Sequence, residues 1–212
     1  DITSLTWRDI DNSIFTTFSL RYLFFGRDLT SIVFPGSLTT ISEGAFVQTS
    51  LAGTLTIPAN VTTFGITVFQ GTDITTLNFE GNNFNTITNR FCHSCTSLTT
   101  VNIPNSVTEI DDFAFSQSPL TTLTFEPGNA RDVTIGSTVF AAPSTFSSYF
   151  SNTVYPVPVG GEVFTTLERS TIFKNGTTEV IMAVTGPLTL AIKNSVISSL
   201  GAPIDYISLG TI

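Results

Sequence analysis

The sequence predicts a solenoid of stacked, predominantly β coils, because three series of apolar residues share one spacing. The first two series each recur every 23 residues, and the second lies five residues before the first. They are Phe46, Phe69, Cys92 and Phe115, and Ile41, Phe64, Ile87 and Ile110. The third series consists of the pairs Phe34-Pro35, Ile57-Pro58 and Ile103-Pro104. A period of about 20–50 residues is the signature of repeats that bury their cores against neighbouring copies.

The composition agrees with a β-rich chain and disfavours two classes of partner. Phe occurs 19 times and Thr is abundant, and both are good strand residues. Charged residues make up 11%, and the net charge is −8. Because Lys and Arg supply most of the affinity for phosphate, we expect no nucleic acid and no anionic membrane surface as partner. We see no apolar stretch of about 18 residues, so no membrane insertion is expected.

Residues 1–28 are predicted to be an N-terminal cap or a degenerate repeat. Terminal units of a solenoid cover a core that would otherwise face water, and they depart from the repeat pattern. We assign Trp7, Phe15 and Phe18 to this cover. The alternative for Trp7 is a stacking contact with a ligand.

Residues 29–141 contain five units, of which 98–115 is the clearest. Leu98, Val101 and Ile103 open this unit, and Val101 and Ile103 alternate with polar residues as in a strand buried on one side. The proline that follows cannot donate to a ladder, so it ends the strand. After a polar turn, the residues predicted to point inward are Val107, Ile110, Ala114 and Phe115.

The units resemble the BspA-type leucine-rich repeat, whose pattern is roughly L-t-s-I-x-I-P-x-S-V-T-x-I-g-x-x-A-F-x-x-C. The stretch LTTVNIPNSVTEIDDFAF matches at nearly every position, and Cys95 falls at the cysteine of the motif. The resemblance implies a leucine-rich-repeat solenoid, a right-handed coil with short strands on its concave face. Turns, 3-10 helices or short strands are expected on the convex face.

Residues 142–212 are predicted to form a loop, a hairpin and a degenerate C-terminal repeat, continuous with the same solenoid. Ala141–Gly161 is rich in Ser, Pro and Gly, which favours a loop. Asn175-Gly176 lies between alternating apolar residues and predicts a tight hairpin turn. Further strands are predicted at 188–192 and near the last residues, and the abrupt end suggests a piece of a longer array.

The motif Cys92-His93-Ser94-Cys95 has the spacing of a redox or metal site. Cys92 occupies a core position of the repeat, so we favour two buried thiols; a local disulfide and a metal or redox function are the alternatives. Two cysteines and the single histidine do not supply a zinc site locally. Asp111-Asp112 is interpreted as a solvated turn rather than a glycosidase pair. We therefore expect no enzyme activity, no metal and no cofactor.

Two sequons, Asn60-Val61-Thr62 and Asn175-Gly176-Thr177, lie in predicted turns. A glycan on Asn60 or Asn175 could extend into solvent there. Sequons also arise by chance in a chain this rich in threonine, so their use is an open prediction.

The candidate binding surface consists of outward residues of the opening strands. They are uncharged, and stacked strands would repeat them about every 4.8 Å. They are Thr30, Ser31, Thr54, Thr56, Thr75, Thr76, Asn78, Thr99, Thr100, Asn102, Thr121, Thr122 and Thr124. The alternative is that threonine simply fills exposed strand positions.

Three hypotheses follow for function. The resemblance implies a non-enzymatic adhesion module of a secreted or cell-surface protein, which binds a protein partner such as a host-surface or extracellular-matrix protein, or a glycan. The second hypothesis is a structural spacer or self-associating coat component. The third is that the regular threonine array binds ice or another crystal. The sequence leaves the oligomeric state open.

Overall fold

The computed structural model describes residues 4–6, 16–18, 21–144, 146, 150, 152–157, 159–165, 168–175, 178–185 and 206–211. The chain divides into two compact units, Asp1–Val163 and Phe164–Ile212. The stacked coils form a nearly all-β solenoid of about four turns, with about 22 residues per turn. The predicted fold class is therefore confirmed. Trp7 and Phe15, assigned to the terminal cover, lie outside the described residues.

The strands of the first unit are short, and β14 crosses the boundary between the units. In chain order they are β1 (Ser4–Thr6), β2 (Thr17–Phe18), β3 (Ser31–Val33), β4 (Thr40–Ile41), β5 (Ala52–Ile57), β6 (Thr63–Phe64), β7 (Asp73–Phe79), β8 (Thr86–Ile87), β9 (Thr100–Ile103), β10 (Glu109–Ile110), β11 (Thr122–Phe125), β12 (Arg131–Ile135), β13 (Thr153–Val157) and β14 (Glu162–Thr165).

One side of the coils carries a sheet with the order β14-β11-β9-β7-β5, which we call the long sheet. Its strands β5, β7, β9 and β11 pair in parallel. Strands β5 and β9 end immediately before Pro58 and Pro104, as the sequence predicts. The return segments of successive coils form two short ladders, β2-β4-β6 and β8-β10-β12, and the strands of each ladder are also parallel.

The outer turns at 43–48, 66–71, 89–94 and 112–117 close the coils and are joined by hydrogen bonds between neighbouring turns. Phe46 N donates to the Val68 carbonyl at 2.9 Å, and Phe115 N donates to the Val139 carbonyl at 3.0 Å. Each turn contains residues with left-handed backbone; in the turn at 66–71, Thr67 has a φ of 57°. Such values are uncommon for residues other than glycine, so inter-turn bonding compensates a local conformational cost.

The core is a column of apolar side chains, as predicted. Val107, Ile110, Ala114 and Phe115 are all fully buried. The rings of Phe46 and Phe69 stack at a centroid distance of 5.4 Å, and those of Phe115 and Phe140 stack at 5.9 Å.

The coil that contains Phe91 and Cys92 departs from the simple aromatic column. In four coils a small residue precedes the phenylalanine: Ala45-Phe46, Val68-Phe69, Ala114-Phe115 and Val139-Phe140. In the coil that lies between the second and third of these, the order is reversed to Phe91-Cys92, and both residues are fully buried. The Phe91 ring packs against Phe69 at 5.4 Å and Phe64 at 5.2 Å. Phe91 therefore supplies the volume that Cys92 lacks.

This exchange predicts strong coupling between the two positions. Cys92→Phe alone should lower the free energy of unfolding by about 1–3 kcal/mol, because it overfills a core that Phe91 already fills. Adding Phe91→Val restores the Val-Phe order that Val68-Phe69 has in the preceding coil and should recover most of that loss. A double-mutant cycle by urea denaturation measures the coupling. Additive losses would contradict the compensation.

The first unit also corrects one prediction, since Ala141–Gly161 is not simply a loop. Strand β13 lies inside it and pairs antiparallel with β12. Its exposed Val154 and Pro156 alternate with half-buried Tyr155 and buried Val157. Pro156 fits because β13 is an edge strand, where one side of the backbone need not donate. The Ser, Pro and Gly content concealed this alternation.

The second unit contains β15 (Glu168–Asn175), β16 (Thr178–Thr185) and β17 (Tyr206–Thr211). They form an antiparallel sheet with the order β16-β15-β17. Asn175 pairs with Thr178, which confirms the predicted hairpin, and β17 confirms a strand near the last residues. The predicted strand at 188–192 lies outside the described residues. The continuity of residues 142–212 with the solenoid stays a prediction.

Candidate functional site

The long sheet brings most of the predicted surface residues together in three rows, which we call the Thr/Asn face. The pairing register aligns the first row and two of the three steps of the second. A side-chain hydrogen bond joins Asn78 and Asn102 in the remaining step, and backbone hydrogen bonds join the third row. All of these side chains are exposed or half-buried. The rows are Thr54, Thr76, Thr100 and Thr122; Thr56, Asn78, Asn102 and Thr124; and Thr75, Thr99 and Thr121.

The interior residues between the rows hold this face in place. Leu77, Val101 and Leu123 are fully buried, and Leu55 is 5% exposed. Since side chains alternate across a strand, burial of one set fixes the direction of the other. The face is therefore backed by a packed core along its whole length.

Hydrogen bonds between neighbouring coils order the side chains of the face. Asn102 Nδ2 donates to Asn78 Oδ1 at 2.6 Å. Thr99 Oγ1 donates to the Thr75 carbonyl, and Thr121 Oγ1 donates to the Thr99 carbonyl, each at 3.3 Å. In this geometry the hydroxyl proton points along the stack.

Thr30 and Ser31 are placed differently from the other predicted residues. Ser31 belongs to β3, which pairs with β1. Ala52 N donates to the Thr30 carbonyl at 3.2 Å, which links this strand to the next coil. Both side chains are exposed. They therefore adjoin the Thr/Asn face without sharing its pairing register.

A second surface of hydroxyl groups lies along the short ladders and was not predicted from the sequence. Thr40 pairs with Thr63, and Thr86 pairs with Glu109. The signal was present, since a threonine or asparagine stands just before the return strands β4, β6, β8 and β10. This surface is less uniform than the Thr/Asn face, because Glu109 and exposed Asp132 bring charge into it.

The family follows from the whole repeat pattern. A family model of the BspA type leucine rich repeat region matches residues 8–148 in six copies. The chain belongs to the BspA-type leucine-rich repeat family. The matched span begins upstream of Leu29 and contains one copy more than the five units identified in the sequence.

Among solved structures, leucine-rich repeat proteins are similar to this BspA-type chain. One from Eubacterium ventriosum is 26% identical, with a TM-score of 0.53, over 66% of this chain and 36% of that one. One from Bacteroides ovatus is 17% identical, with a TM-score of 0.31, over 56% of this chain and 42% of that one. The chain thus spans just over a third of the first protein. Comparison with curated proteins gives no match.

The two cysteines of this BspA-type chain are free and fully buried, which confirms the buried-thiol interpretation. Cys95 continues a buried polar series formed by Thr49, Thr72 and Ser118. Its thiol donates to the Phe69 carbonyl at 3.1 Å. Burial, followed by the contact with Cys95, raises the pKa of the Cys92 thiol, so Cys92 stays protonated and unreactive.

His93 lies on the outer turn between Arg90 and Phe113. The guanidinium carbon of Arg90 lies 4.8 Å from the centroid of the Phe113 ring. The His93 and Phe113 rings pack edge to face with their centroids 6.4 Å apart. Among the described residues, His93 Nδ1 has no hydrogen-bond partner. Partial burial, followed by the positive charge of Arg90, lowers the pKa of His93 below its ordinary value of 6.5.

The lowered pKa predicts an acid-sensitive component of stability. The unfolded chain binds a proton near pH 6.5 while folded His93 resists it, so the free energy of unfolding should fall as the pH drops below 7. His93→Gln should flatten this decline between pH 7 and pH 5.5. Denaturation at several pH values checks it. The raised pKa values of Asp111 and Glu126 act in the opposite direction but occur in both proteins, so they cancel from the comparison. Identical slopes would contradict the prediction.

Glu109, Asp111 and Asp112 border a shallow pocket. Its volume is about 220 Å³, and its lining includes Asn89, Glu109, Asp111 and Asp112. Ligand pockets usually measure about 300–1,000 Å³. Burial and the nearby Glu109 raise the pKa of Asp111. Within the described residues, no group of three or more His, Cys, Asp or Glu is arranged to hold a metal ion.

The sequons occupy different settings. Asn60 is exposed in a turn, and its Nδ2 donates to the Gly36 carbonyl at 2.6 Å. Asn175 is the last residue of β15. Their glycosylation stays a prediction. The described residues include no helix with the length and apolar character of a membrane span.

Proposed function

We propose that this chain is a non-enzymatic adhesion module of a secreted or cell-surface protein and that it binds a protein partner through the Thr/Asn face. The observation that supports the proposal is the three aligned rows of uncharged side chains over a buried backing. Such a face forms many hydrogen bonds of modest individual strength. Their effect adds along the array when a partner contacts several coils at once.

The charge distribution supports a partner recognised by hydrogen bonding rather than by cation clusters. The rows themselves carry no charge. Arg131 is engaged with the backbone, since its Nε donates to the Val107 carbonyl at 3.1 Å and its Nη2 to the Pro104 carbonyl at 3.2 Å. Binding should therefore depend weakly on salt, because screening acts on charges. A glycan, which also binds through hydroxyl groups, is the alternative partner.

A matched pair of triple variants tests the proposed face. Thr76→Lys, Thr100→Lys and Thr122→Lys place three strongly hydrated charges in one row, and they should abolish binding to a panel of immobilised extracellular-matrix proteins. The control is Thr40→Lys, Thr63→Lys and Thr86→Lys on the short ladders, which should bind like the parent. Unchanged binding by the first variant, with an unchanged unfolding midpoint, would move the site elsewhere.

The spacer hypothesis makes a different prediction. A self-associating coat component should show association that depends on protein concentration in sedimentation, with no added partner. Association that the first triple variant abolishes would assign the Thr/Asn face to copies of this chain instead.

A further inference from the structure

We propose that the Thr/Asn face also binds ice, as an ordered array of hydroxyl and amide groups that matches the spacing of water in the crystal. This inference goes beyond adhesion and needs no protein partner. It depends on the regularity of the face in two directions, along the strands and across them. A crystal surface repeats in two directions in the same way.

The regularity comes from the pairing register, although the sequence spacing is uneven. From Thr54 the first row continues at Thr76, Thr100 and Thr122, which are directly paired across β5, β7, β9 and β11. The chain segments between these residues differ in length, yet the register pairs threonine with threonine at every step of the row. The second row adds a threonine or asparagine beside each of them.

The distance between neighbouring rungs is close to a distance that recurs in ice. Adjacent strands lie about 4.8 Å apart. Hydrogen-bonded hydroxyl and water oxygens are about 2.75 Å apart, so two oxygens bound to the same tetrahedral water are about 4.5 Å apart. The mismatch is about 0.3 Å for each rung and about 1 Å over the three steps from Thr54 to Thr122. That error is well below the separation of neighbouring water molecules.

The face is also rigid enough to present this spacing. Leu77, Val101 and Leu123 are fully buried beneath it. Threonine is stiff at χ1 because it is branched at Cβ. The hydrogen bond from Asn102 Nδ2 to Asn78 Oδ1 and the one from Thr121 Oγ1 to the Thr99 carbonyl fix the orientation of further groups. A preformed array loses little conformational freedom when its first water layer freezes.

The second threonine surface lacks these properties and therefore serves as an internal control. Its row is interrupted by Glu109, whose carboxylate Oε2 accepts a hydrogen bond from Thr86 Oγ1 at 3.3 Å. Its strands are two residues long at most coils and fall into two separate ladders. A charge inside the row imposes its own hydration shell on the water that a crystal would need to order.

The test uses the whole chain and ice alone. We expect the parent protein to show thermal hysteresis, to inhibit ice recrystallisation and to partition onto a growing ice surface. The Thr76→Lys, Thr100→Lys and Thr122→Lys variant should lose all three, and the short-ladder lysine variant should retain them. Thr100→Val, which keeps the shape but removes one hydroxyl, should reduce the hysteresis with little change in folding.

Three results would overturn the inference. The first is a folded parent protein with no hysteresis and no inhibition of recrystallisation. The second is activity retained by the long-sheet lysine variant, and the third is activity lost from the short-ladder variant alone. None of these depends on a protein partner, so the ice assay and the matrix-binding assay can fail separately.

Discussion

Phe115→Ala is expected to lower the free energy of unfolding by about 3–5 kcal/mol, as for other large truncations in closely packed cores. Phe115 is fully buried, and its ring stacks on that of Phe140. The coils above and below are joined to it by backbone hydrogen bonds, so they cannot easily close the cavity. Urea denaturation followed by circular dichroism measures the loss.

The matched control for this substitution is Phe25→Ala. Phe25 is 50% exposed, so its removal should change stability by less than about 1 kcal/mol. A loss below about 1 kcal/mol for Phe115→Ala would contradict its place in the shared core. Equal losses for the two variants would do the same.

Gly65→Ala is expected to cost several kcal/mol, although it adds a single methyl group. A Cβ at Gly65 would lie 2.1 Å from the backbone nitrogen of Glu43 and 2.4 Å from its Cα. These atoms belong to the neighbouring coil and cannot rotate away. Gly65 N also donates to the Ile41 carbonyl at 2.8 Å, so the added methyl must push apart two bonded coils. Overpacking on this scale places the variant among the most damaging substitutions.

Gly36→Ala is the control that separates this clash from the general effect of replacing glycine. No atom lies within 4 Å of the Cβ position at Gly36. The control should therefore be neutral or slightly stabilising, because alanine restricts the unfolded chain. Thermal unfolding of the two variants side by side checks the difference. A Gly65→Ala protein as stable as the parent would show that the coils can separate freely.

The sequence predicts the repeat, the inward residues and most of the candidate face because these depend on period alone. Ile110 and Phe115 recur at fixed spacing, and a side chain's direction follows from alternation along a strand. The exchange of Phe91 and Cys92 depends on volume shared between coils, which a position-by-position pattern does not record. The close approach at Gly65 has the same origin. Strand β13 pairs antiparallel with β12, so the parallel repeat could not predict it.

The candidate face was predicted as a set of residues, but its alignment was not. Thr76 and Thr100 are 24 positions apart, whereas Thr100 and Thr122 are 22 apart, so a fixed period would place them out of step. Backbone pairing absorbs the difference in the turns. The left-handed residues of the outer turns were also not predicted, because Thr67 and Phe113 are not residue types that favour such backbone.

Each outer turn hydrogen-bonds to its nearest neighbours, and this simple linkage has an evolutionary consequence. Duplication of a 23-residue segment would lengthen every row by one position without requiring a new interface. The avidity for a partner could then be adjusted by the number of repeats encoded in the gene, while the residue type at each position of the repeat stays constant. Unequal recombination, rather than the slow selection of individual contacts, would be the means by which such a protein changes its avidity.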